Sequence, residues 1–174
     1  MKKILLTLAA SATVLSAFAA DGTFAASSII GGVREYTYNP DGTTKLLKAN
    51  GAVQFVYNGA VVGTGTYGFL QDGTFSAGTL SIPGQAGNQV SITIDVWDKS
   101  TQATYDLAST VAGGIYLPAQ TVTITLGGAG VPPATAAALT GFTGGTMLKV
   151  VPEPSTIALA AFGLGGLLFI SRRK

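Results

Sequence analysis

The feature that most constrains this chain is a strict alternation over residues 89–97. Val90, Ile92, Ile94 and Val96 fall on one side, and Ser91, Thr93, Asp95 and Trp97 on the other. Four periods of two residues suit a half-buried β-strand and no other regular element. Residues 121–126 repeat the pattern with Val122, Ile124 and Leu126 inward, and Val53, Phe55 and Tyr57 share a face over residues 52–57. Between such runs lie Asn39-Pro40-Asp41-Gly42, Asn58-Gly59 and Asp72-Gly73, all turn chemistry, with Asn-Gly the preferred pair for a type I′ hairpin.

Extended segments are therefore expected at 33–38, 43–48, 52–57, 60–64, 67–71, 74–79, 89–97, 121–126 and 146–150. Weaker strands are expected at 105–107 and at 115–117, the second ended by Pro118. Residues 134–139 are compatible with one or two helical turns. Outside the two ends, no stretch holds a helical period over ten residues. The expected fold is all-β, an antiparallel β-sandwich or jelly-roll-like domain spanning residues 20–150.

Both ends read as targeting segments. Lys2 and Lys3 precede an apolar run over residues 4–15, and Ala17-Phe18-Ala19 supplies a small-x-small site, so residues 1–19 read as a signal peptide cut by signal peptidase after Ala19. Thr23-Phe24-Ala25 is a second candidate. At the other end, residues 157–170 carry no charge and include Ile157, Leu159, Phe162, Leu164, Leu167, Leu168, Phe169 and Ile170. As a helix this run covers roughly 21 Å, short of the roughly 30 Å hydrocarbon core. It spans a membrane by thinning it locally or by snorkelling of its basic end. Arg172, Arg173 and Lys174 follow, and positive charge beside a span stays on the cytoplasmic side, leaving everything before Pro152 outside. Pro152 and Pro154 fix two φ angles, remove two N–H donors and extend Val151 and Glu153. The product is a stiff, extended peptide at the membrane surface.

Val151-Pro152-Glu153-Pro154-Ser155-Thr156, the apolar run and the Arg172-Arg173-Lys174 terminus together resemble the PEP-CTERM sorting signal of exported proteins of Gram-negative bacteria, over residues 151–174. The resemblance implies recognition of Pro152, Glu153 and Pro154 by an exosortase, a membrane-embedded cysteine protease or transpeptidase. It implies passage through the inner membrane and delivery to the cell surface or extracellular matrix, often beside biofilm exopolysaccharide. A single-pass tail anchor that is never cut is the alternative.

Without the two ends the balance of charge reverses. Arg34, Lys45, Lys48, Lys99 and Lys149 face Asp21, Glu35, Asp41, Asp72, Asp95, Asp98 and Asp106, five cations against seven anions and a net charge of −2. The basicity of the whole chain belongs to its targeting segments, and no basic patch argues for nucleic acid. The chain has no cysteine and no histidine, which removes disulfides, Ser-His-Asp and Cys-His nucleophiles and the usual zinc ligand sets. No cofactor is expected, and no enzymatic activity. A glycosidase would need two facing acids, and Asp95, Asp98 and Asp106 are the one cluster to weigh, for that role or for Ca²⁺. Solvated strand-end acids explain them more simply. Trp97 lies opposite the apolar row, so it either stacks on sugar with Tyr105 or Tyr116, as in a carbohydrate-binding module, or packs under a second layer.

Overall fold

A computed structural model describes residues 20–128 and 135–151. Its elements are β1 (Gly22–Ser27), β2 (Ile29–Ile30), β3 (Val33–Arg34), β4 (Thr37–Tyr38), β5 (Gly51–Tyr57), β6 (Ala60–Val61), β7 (Tyr67–Gln71), β8 (Thr74–Ile82), β9 (Gln89–Asp98), α1 (Tyr105–Thr110), β10 (Ile115–Thr125), β11 (Ala137–Ala138), β12 (Gly145–Thr146) and β13 (Leu148–Lys149).

The chain is mostly β, as the alternation requires, but it is not an antiparallel sandwich. One mixed sheet runs in the order β11-β1-β8-β7-β5-β9-β10-β13, with β6 paired to β5, and it curls strongly into a half-barrel. β11 adds parallel to β1, and β12 pairs parallel with β4. The remaining ladders of the main sheet are antiparallel.

The concave face holds the core. Val90, Ile92, Ile94 and Val96 of β9 are buried there with Val122, Ile124 and Leu126, and Val53 and Phe55 join them from β5. Phe55 meets Phe24 and Phe75 edge to face, each at 5.8 Å between ring centroids, and Phe75 meets Phe142 at 5.2 Å. No second sheet is needed to cover this face. Leu139, Phe142 and Met147 come from the chain after β10 and are buried in the same core. Edge-to-face rings contribute about 0.5–1.5 kcal/mol per pair beyond the area they bury.

Local departures from the sequence expectations have physical causes. Asn58 and Gly59 both take positive φ, 49° and 77°, as a type I′ turn demands, and β5 folds straight back onto β6. Residues 43–48 form no strand; Lys45 makes a single bridge to Tyr38, and the Asp41 carboxylate instead accepts the Thr43 and Thr44 amides to close a turn. Pro118 does not end a strand. β10 continues through it, and the register against β9 shifts between Leu117 and Gln120, a bulge being the place where a missing N–H is tolerated. The re-aimed Gln120 donates to Gly144 O at 2.6 Å and accepts from Thr143 N at 3.1 Å, which fastens the C-terminal segment over the core. Residues 137–138, expected as part of a helical turn, are strand β11.

Candidate functional site

Two regions collect the residues singled out by the sequence: the convex face around Trp97 and the end of the sheet from which the C-terminal tail leaves.

On the convex face, α1 packs over β9 and β10. Residues 105–107, expected as strand, are its first turn. Thr104 caps the helix through its hydroxyl to Leu107 N, and Asp106 sits in the first turn, where a carboxylate is favoured by the helix dipole. Trp97, Ala52 and Ala108 are buried beneath it, with Tyr105 and Tyr116 packed around them. Trp97 and Tyr105 meet at 6.3 Å and 70°, and Tyr105 and Tyr116 at 6.0 Å and 82°. Trp97 is 0% exposed, so in this structure it presents no ring face on which a sugar can stack. Of the two roles open to it, packing under a covering layer is the one the structure displays, and that layer is a helix. Tyr105 is half-buried and its hydroxyl donates to Leu117 O at 3.0 Å. Burial, with the nearby Asp95 charge, pushes its phenol up to about 12.

The three acids do not converge. Asp95 is buried on the α1 side and accepts from Gln54 Nε2 at 2.9 Å. Burial raises its pKa, with Gln54 opposing and Asp106 adding to the rise. Asp98 closes the strand end by accepting from Ser100 N at 2.9 Å and Ser100 Oγ at 2.5 Å. Asp106 is exposed on α1. Among the described residues no group of three or more acids, histidines or cysteines is placed to hold a metal ion. Further along the convex face, hydroxyls pair across β9 and β10, Ser91 with Thr123 at 3.0 Å and Thr93 with Thr121 at 3.1 Å, so that strip satisfies itself.

The tail leaves at the other region. β13 lies at the sheet edge, pairing Ile115 with Lys149 and Tyr116 with Leu148. The pairing continues one residue further, Val150 N donating to Gly114 O and Gly113 N to Val150 O, both at 2.9 Å. Val151 is 73% exposed. Behind β13 the chain is held firmly, since Met147 is buried and its N–H donates to Tyr38 O at 2.8 Å. Pro152, Glu153, Pro154, the apolar run 157–170 and the basic terminus lie outside the described residues, as do Ala17 and Ala19. Among the described residues no helix is long and apolar enough to cross a membrane.

The family model of the PEP-CTERM protein-sorting motif matches residues 150–174. No curated protein and no solved structure matches the chain. A motif of this kind implies an exported, cell-surface-associated protein processed by an exosortase. Starting at the last residue paired to the sheet, this chain carries a PEP-CTERM protein-sorting motif.

Proposed function

We propose that the protein is a non-catalytic component of the cell surface or extracellular matrix, associated with biofilm exopolysaccharide. It is delivered by its N-terminal signal peptide, held transiently in the inner membrane by its tail, and released or transferred by an exosortase that reads Pro152, Glu153 and Pro154. The observation that carries this reading is the junction at Val150. All pairing that builds the half-barrel is complete there, and the sorting motif begins at the same residue, so removal of the tail costs the domain none of its described structure. A non-catalytic role is supported by what the acids do: Asp95 and Asp98 each serve a neighbouring polar group, and no histidine or cysteine is available.

The test is the intact mass of the protein from cells with a matched exosortase and from cells without it. Loss of the tail in the first strain alone is expected, and replacement of Pro152, Glu153 and Pro154 by alanine is expected to leave the uncut precursor in the membrane. A mass that retains residues 172–174 in both strains would instead identify an ordinary membrane-anchored domain.

A further inference from the structure

We infer that the peptide engaged by the processing enzyme reaches back into the fold: β13 peels from β10, Leu148–Val151 join the segment being read, and Met147 is the point at which the domain keeps its grip. This rests on the sorting reading above. The first argument is space. Between Val150, the last residue paired to the sheet, and Ile157, where the apolar run begins, lie six residues, 151–156. They extend to about 20 Å at most, with a folded domain at one end and a bilayer at the other. An enzyme that binds an extended substrate must place its cleft in that gap.

The second argument is hydrogen bonding. Extended peptides are commonly bound by main-chain pairing, as an added strand. Pro152 and Pro154 have no N–H to offer, so two of the six exposed residues are mute as donors. Leu148, Lys149, Val150 and Val151 follow one another without a proline, and β13 is already extended.

The third argument is the contrast in how the chain is held. β13 is two residues long and has two register partners on one neighbour. Leu148 is 49% exposed and Lys149 is exposed as well. An edge element with so little buried surface opens at low free energy. One residue earlier the situation reverses, because Met147 is 1% exposed in the main core and Thr146 pairs with Tyr38 in the β12–β4 ladder. Peeling therefore stops at Met147. It lengthens the accessible segment to nine residues, 148–156, or about 30 Å, while the core stays intact.

A cross-strand lock tests this. Ile115 and Lys149 are direct partners on β10 and β13, a separation that suits a disulfide. The natural chain has no cysteine, so Ile115→Cys with Lys149→Cys forms one defined bond. The readout is the intact mass of protein from exosortase-containing cells, for the parent, both single variants, the double variant, and the double variant with Gly-Ser-Gly-Ser inserted between Val151 and Pro152. The parent and the single variants should lose the tail. The cross-linked variant should keep it, with a processed fraction lower by at least about tenfold, and the insertion should restore processing by moving the readable segment clear of the lock. Processing of the cross-linked variant at the parent's level, or failure of the insertion to rescue it, overturns the inference while leaving the sorting reading intact. Retention of the tail by the parent itself overturns both.

Discussion

Asp95 is the residue whose chemistry most clearly works against its surroundings. It is 6% exposed between the sheet and α1, and one amide, from Gln54, supports its charged form. Burial is the largest influence and raises its pKa above the ordinary 3.8, because removing a carboxylate from water penalises the anion. A folded-state pKa above the unfolded value means that the group's contribution to stability is fully present below the unfolded pKa and is lost as pH rises through the folded pKa. At neutral pH the Asp95 anion therefore weakens the fold. Asp95→Asn keeps an oxygen for Gln54 and removes the charge. The variant is expected to melt at a higher temperature than the parent at pH 7, with the advantage shrinking or reversing at about pH 3, where both side chains are neutral. Melting curves at the two pH values decide it, and a parent that gains on the variant as pH rises would contradict the assignment. The paired hydroxyls of Thr93 with Thr121 and Ser91 with Thr123 carry no charge and should show no such dependence.

Among the elements, α1 is the one that changes the reading of the convex face. Trp97 is the single tryptophan of the chain and forms the floor on which Tyr105 and Ala108 sit. Trp97→Ala should cost about 3–5 kcal/mol, as expected for emptying a fully buried aromatic site, and should free α1 from the sheet. Chemical denaturation of parent and variant measures this; a loss below about 1 kcal/mol would mean that the site refills and that α1 does not depend on the indole. In the parent, indole emission should be blue-shifted and resistant to aqueous quenchers. Sequence alternation was enough to identify β5, β9 and the second half of β10, since each has one face in the core and one outside it. It was not enough for α1, because six residues are less than two full helical turns and leave no measurable period. The available signal was local, a threonine at 104 with an acid at 106, the chemistry of a helix start. Pro118 misled for a related reason: the proline rule for strand interiors holds for a regular ladder, and here the ladder is bulged. The curl of the sheet had no local signature at all. It depends on which distant edges meet, such as β11 on β1 and β13 on β10, and two-residue strands carry no periodicity to announce them. The sorting motif was legible because it is read as an extended peptide and requires no tertiary structure to be recognised.

At the scale of the whole molecule, the position of β1 bears on where the mature protein begins. Two signal-peptidase sites are available, after Ala19 and after Ala25, and composition does not separate them. The fold does distinguish their consequences. β1 lies inside the sheet between β11 and β8, Phe24 and Ala26 are fully buried, and Phe24 is edge-on to Phe55. Ala20 is also used, its carbonyl accepting from Ala86 N at 3.0 Å. Cleavage after Ala19 delivers the complete strand. Cleavage after Ala25 removes Phe24, a loss of about 3–5 kcal/mol by itself, together with the Gly22–Ile82 to Ala25–Thr79 pairs of the β1–β8 ladder and the attachment of β11. Against a total stability of about 5–15 kcal/mol for a domain, that loss is enough to unfold the protein. The exported protein is therefore expected to begin at Ala20, as measured on its N-terminal peptide, and a shortened form starting at Ala26 is expected to show no cooperative melt. A native N-terminus at Ala26, or a cooperative melt of the shortened form near the parent's temperature, would mean that β1 is dispensable and that another edge closes the half-barrel.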